Sequence, residues 1–161
     1  MGNNLWGRFD DVIEEMNIPK EVLEEQAKYL EDSLNGLVKG QVKRKILNKS
    51  WTDFYEEIKQ EYDFVYEFLI LSDFVERYSY LLLTVAYGIC MYPVAITVSS
   101  AIIDEFEFDY EIFDEDTIIA SNEAEFQEIL IKIFASKEVR QVLRGLHSIA
   151  SKEYDEDDEL F

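Results

Sequence analysis

Ser79-Tyr80-Leu81-Leu82-Leu83-Thr84-Val85-Ala86-Tyr87-Gly88-Ile89-Cys90-Met91-Tyr92-Pro93-Val94-Ala95-Ile96-Thr97-Val98-Ser99 is the heart of a run, Tyr78 to Ile103, of 26 residues without a charge. Roughly 20 apolar residues suffice to cross a bilayer as a helix, so the run must first be tested against a membrane span. Pro93 near its middle, four tyrosines within it and a period of two in both halves argue against that reading. Leu81, Leu83, Val85, Tyr87 and Ile89 would share one face of a strand, with Thr84, Ala86, Gly88 and Cys90 on the other. A helix remains open for Tyr78 to Met91. After Tyr92-Pro93, Val94, Ile96 and Val98 alternate with Ala95, Thr97 and Ser99 as a further strand. So short a connection joins antiparallel neighbours.

Working outward, Tyr62 to Leu71 reads as an earlier strand, with Phe64, Tyr66, Phe68 and Ile70 on one side. Glu105 to Phe113 gives the clearest alternation in the chain: Phe106, Phe108, Tyr110 and Ile112 against Glu105, Glu107, Asp109 and Glu111. Thr117 to Ala120 is a brief fifth strand. Before the strands, Trp6, Phe9, Ile13 and Met16 share a helical face within Leu5 to Met16. A second helix starts at Pro19, with Val22, Leu23, Ala27, Leu30, Leu34 and Leu37 as its buried stripe, and weakens at Gly36 and Gly40. After the strands, Asn122 and Glu125 form a capping box opening a helix with Phe126, Ile129, Leu130, Ile133 and Phe134 inward. A last helix spans about Lys137 to Ala150.

The expected fold is therefore α+β, with N-terminal helices, a central antiparallel sheet of four to five strands and two C-terminal helices. Residues 1–152 are expected to form a single domain and 153–161 an acidic tail, since Glu153 to Glu159 holds six acids in seven residues. The lone Cys90 lies in an apolar run, as an inert buried thiol would, and cannot form an internal bridge, which favours a reducing compartment. The N-terminal residues lack a secretory pattern, and the Met-Gly start lacks the Ser or Thr at position 6 that myristoylation prefers, so the expected location is cytoplasmic.

Fifteen basic against 35 acidic residues give a formal net charge of −20. Such a field repels nucleic-acid phosphates and anionic lipid and attracts cationic proteins. Direct nucleic-acid and membrane binding are disfavoured on that ground. The only basic block is Val38 to Ser50, with Lys39, Lys43, Arg44, Lys45 and Lys49 and no acid.

The catalytic inventory is thin, with no phosphate loop, no nucleophile elbow, no cysteine pair and only His147 to serve any imidazole role. A boundary histidine is the expectation there. Carboxylates at alternate strand positions stand about 7 Å apart, too far for neighbours to share a metal ion. No enzyme activity, cofactor or metal is expected.

The expected site is a partner-binding surface of Glu105, Glu107, Asp109, Tyr110, Glu111, Phe113, Asp114, Glu115 and Asp116. Four like charges on one strand face repel unless something basic lies opposite. Three readings compete: the acids guard a sheet edge, the basic block covers them internally, or they form a preorganised anionic surface for a cationic cleft, with Tyr110 and Phe113 as anchors. On a strand, their spacing would be about half the linear charge density of one DNA strand, which makes mimicry of a nucleic-acid backbone reasonable. The expected function is thus an intracellular inhibitor of a basic, nuclease-type protein, of the immunity-protein, antitoxin or phage anti-defence kind. The alternative is an accessory or scaffold subunit that self-associates.

Overall fold

A computed structural model describes residues 2–45, 62–107 and 109–159, with side chains omitted for 156–159. The architecture is α+β. Among the described residues, helix α1 (Pro19–Ser33) is followed by strands β1 (Lys39–Arg44), β2 (Phe64–Leu71), β3 (Ser79–Tyr87) and β4 (Val94–Thr97). Helix α2 (Ser100–Glu105), strands β5 (Ile112–Phe113) and β6 (Thr117–Ala120), and helices α3 (Glu123–Phe134) and α4 (Lys137–Glu159) complete it. The sheet has six strands, in order β1-β2-β3-β4-β6-β5, and every neighbouring pair is antiparallel.

The main core joins the helices to one face of that sheet. Val22, Leu23 and Ala27 of α1, Phe126, Ile129 and Ile133 of α3, and Val139 and Leu146 of α4 pack with Phe68, Ile70, Val85, Val94, Ile96 and Ile118. The reverse face holds a smaller cluster of Tyr62, Val65, Ala86, Ala95 and Ile119. Both sides of β3 and β4 are therefore buried, which is why neither of the two alternating faces of the uncharged run carries a charge. Among the described residues, no helix is long and apolar enough to cross a membrane.

Five expectations are corrected. Leu5 to Met16 forms no helix, and Leu5, Trp6, Ile13 and Met16 are exposed. Gly7 takes φ +76°, Asn4 bonds locally to Trp6 and Gly7, and a helix this short is marginal without packing to hold it. The basic block opens as an edge strand, β1, and Gly40 lies where α1 crosses it: a Cβ there would stand 2.9 Å from the Ala27 Cα. Leu81 falls opposite Leu83, since a bulge shifts the register so that Phe68 pairs Leu83 and Leu69 pairs Leu81. Leu82 is the extra residue, buried beside Leu83 on the helix side. Cys90 is exposed, sitting in the turn where Met91 N–H donates to the Gly88 carbonyl. Finally, the stretch from Glu153 continues α4 through Glu159, helped by an edge-on contact between Tyr154 and Phe74 at 5.8 Å. Lys49 and Phe108 lie outside the described residues.

Candidate functional site

The acidic segment does not form the expected long strand. Ser99 caps α2, its Oγ accepting the Ala101 N–H at 3.3 Å, and α2 drives Ile102 and Ile103 into the core. The alternating reading thus fails at its first residue, Glu105, which ends α2. Downstream, among the described residues, only Ile112 and Phe113 pair, with Ile118 and Thr117. Asp114 and Glu115 then turn the chain with φ +52° and +67°, and Asp116 N–H closes the turn on the Phe113 carbonyl at 3.4 Å. Positive φ at both central residues is the primed hairpin geometry, and Asp tolerates it better than most residues.

The predicted site residues separate into two groups. Some serve the fold. Both oxygens of Glu105 accept the Lys137 N–H, at 3.1 and 2.9 Å, so this carboxylate caps α4 from another element. The Asp116 carboxylate accepts the Thr117 hydroxyl at 3.0 Å, and its carbonyl accepts the Val98 N–H at 2.9 Å. Tyr110 and Phe113 are half-buried, and Tyr110 packs against the core with its hydroxyl donating to Glu128. That bond, followed by burial and then the surrounding carboxylates, pushes the Tyr110 phenol up to about 12. Neither aromatic is the free anchor that alternation implied; Ile112, 39% exposed, is the apolar residue turned outward here.

The second group faces solvent: Glu107, Asp109, Glu111, Asp114 and Glu115, together with Asp104. They gather around the shortest strand at one edge of the sheet. Among the described residues, the ion pairs Arg8–Asp10, Lys20–Glu24, Lys39–Glu31 and Lys39–Asp73 use none of these carboxylates. Lys132 reaches the segment, its Nζ donating to the Glu107 backbone carbonyl at 3.2 Å.

The basic strand lies at the opposite edge. Five inter-strand spacings of about 4.8 Å separate β1 from β5, roughly 24 Å and well beyond the Debye length of about 8 Å at physiological salt. Lys39 is committed there to Asp73 at 2.6 Å, a bond that raises its pKa. Internal cover of the acids by β1 is thereby ruled out. Loss of the long strand also removes the regular charge spacing that resembled a nucleic-acid backbone.

Among the described residues, no three His, Cys, Asp or Glu side chains converge to hold a metal ion. His147 lies half-buried on α4 beside Arg140 and Arg144, lining a cavity that the search for catalytic motifs missed. Its signal was present as positions 140, 144 and 147, which recur at helical spacing on one face. No family model, curated protein or solved structure matches the chain.

Proposed function

We propose that this chain is a non-catalytic binding domain that neutralises a basic protein partner through the acidic edge of its sheet, as immunity proteins, antitoxins and anti-defence proteins of phages do. The observation that carries the reading is the cluster of exposed carboxylates around β5, a full sheet width from the basic strand. Like charges gathered at one edge cost stability, and a cationic cleft would relieve that cost on docking while the field accelerates encounter. The exposed edge of β5 and Ile112 would add backbone pairing and an apolar contact. A nuclease active site is one cleft of that charge.

The test replaces Glu107, Glu111 and Glu115 by Gln and Asp109 and Asp114 by Asn, keeping Glu105 because it caps α4. Partners captured from the native host by wild type are purified and their association with both proteins is timed. A basic partner whose activity is blocked by wild type, and whose association slows at least about tenfold in the variant at matched folding, supports the reading. Equal binding to both proteins removes the acidic edge from the mechanism.

A second reading, a scaffold subunit that self-associates, is favoured by a separate observation. Leu5, Trp6, Val12, Ile13 and Met16 are between 58% and 93% exposed within a dozen residues, more apolar surface than scattered exposure accounts for. A stable homo-oligomer dissolved by deleting residues 2–17 would favour it.

A further inference from the structure

We propose that the cavity between α1, α4 and the β2–β3 hairpin binds a small amphipathic monoanion of the fatty-acid class, a chain with one carboxylate head. The cavity has a volume of about 480 Å³. Small-molecule sites run roughly from 300 to 1,000 Å³ and combine an apolar body with a few convergent polar groups. Its floor is Phe68, Ile70 and Leu82, each no more than 3% exposed, so a hydrocarbon chain would meet closely packed apolar atoms. Leu82 reaches that floor only because the β3 bulge turns it to the helix side next to Leu83.

The rim has the opposite character. Arg140, Arg144 and His147 stand along one face of α4 at spacings of four and three, the two arginines exposed. Among the described residues, neither guanidinium has an ion pair, although the chain carries 35 carboxylates. None of the 14 described residues lining the cavity is acidic. At the chain's average acid content, three would be expected there. Unpaired guanidinium groups beside a carboxylate-free apolar cavity match one chemistry: a planar anionic head held by two-pronged hydrogen bonds, with its apolar chain inside. Glu105 supports the arrangement at a distance, since the α4 turn it caps carries Val139 and Arg140 to the cavity. The site is independent of the proposed binding of a basic partner.

The experiment is titration calorimetry of the full chain with sodium decanoate below its micelle concentration, with n-decanol and acetate as comparison probes. The expected result is saturable one-to-one binding of decanoate, weaker binding of decanol and none of acetate. The R140Q/R144Q variant should bind decanoate at least about tenfold more weakly while leaving decanol unchanged. Both substitutions are on exposed helix positions, and the R140K/R144K variant should recover part of the loss. The proposal is overturned by no saturable decanoate binding, by decanol binding as tightly as decanoate, or by equal decanoate affinity in wild type and R140Q/R144Q. If R140Q/R144Q proves unstable, the decanoate–decanol comparison on wild type decides alone.

Discussion

At the scale of single residues, the tyrosines carry the sharpest consequence. Burial first, and nearby carboxylates after it, push Tyr62 and Tyr92 up to about 12, and burial does the same for Tyr87, with Tyr66 next. Tyr80 is displaced further upward, again mainly by burial, with Glu138 next. A phenol whose folded pKa exceeds its unfolded value of about 10 contributes stability that is complete below that pH. Between about pH 10 and 12 the unfolded chain releases protons that the folded chain keeps, so stability must fall as pH rises through this window. Phenolate absorbance should show these tyrosines ionising only above pH 11, and urea midpoints should decline steadily from pH 10. Ionisation of all tyrosines near pH 10 in the folded protein would contradict the buried placements.

At the scale of elements, two glycines, one in a helix and one in a strand, behave in opposite ways. Gly145 lies within α4 with nothing near its missing Cβ, so Gly145→Ala should stabilise by about 0.5–1 kcal/mol through backbone entropy. Gly40 lies under α1, where a Cβ would meet the Ala27 backbone at 2.9 Å and the Phe68 ring at 3.0 Å. Gly40→Ala must push α1 off β1 and should cost about 1–3 kcal/mol. Denaturant titration of both variants separates the effects by sign, and stabilisation by Gly40→Ala would disprove the close crossing. The same contrast shows how far elements were legible. The capping box at Asn122 is explicit in four residues: Glu125 N–H donates to the Asn122 side chain at 2.9 Å, while the Glu125 carboxylate reaches one residue past the cap and accepts the Ser121 N–H at 2.6 Å. The role of Gly40 was invisible, because in sequence a helix-breaking glycine and a glycine at a crossing are the same letter.

At the scale of the whole molecule, charge is unevenly disposed, with basic β1 at one edge and the acidic cluster at the other. A net charge of −20 makes the folded chain repel itself more than the expanded one, most strongly where the Debye length is about 30 Å at roughly 0.01 M salt. Melting temperature should therefore rise as sodium chloride is increased from about 0.01 to 0.5 M, measured by calorimetry. A flat or falling curve would mean that local ion pairs outweigh the net field.

Periodicity and caps, which involve residues within a few positions of each other, determined the α+β class, strands β2, β4 and β6, and helices α1, α3 and α4, and left β3 open between strand and helix. The composition determined the acidity, and the residues that could meet a basic partner were named from it. Tertiary structure decided what depends on distant neighbours. Residues 105–113 alternate, yet Ile102 and Ile103 bury together on α2, which ends at Glu105, and among the described residues only Ile112 and Phe113 pair with β6 at that edge. Whether Glu105 faced a partner or capped α4 was set by Lys137, 32 residues away, and the cavity required α1, a β3 bulge and α4 to meet. Local pattern reports only a residue's own face; its opposite neighbour is chosen by the packing of the whole chain.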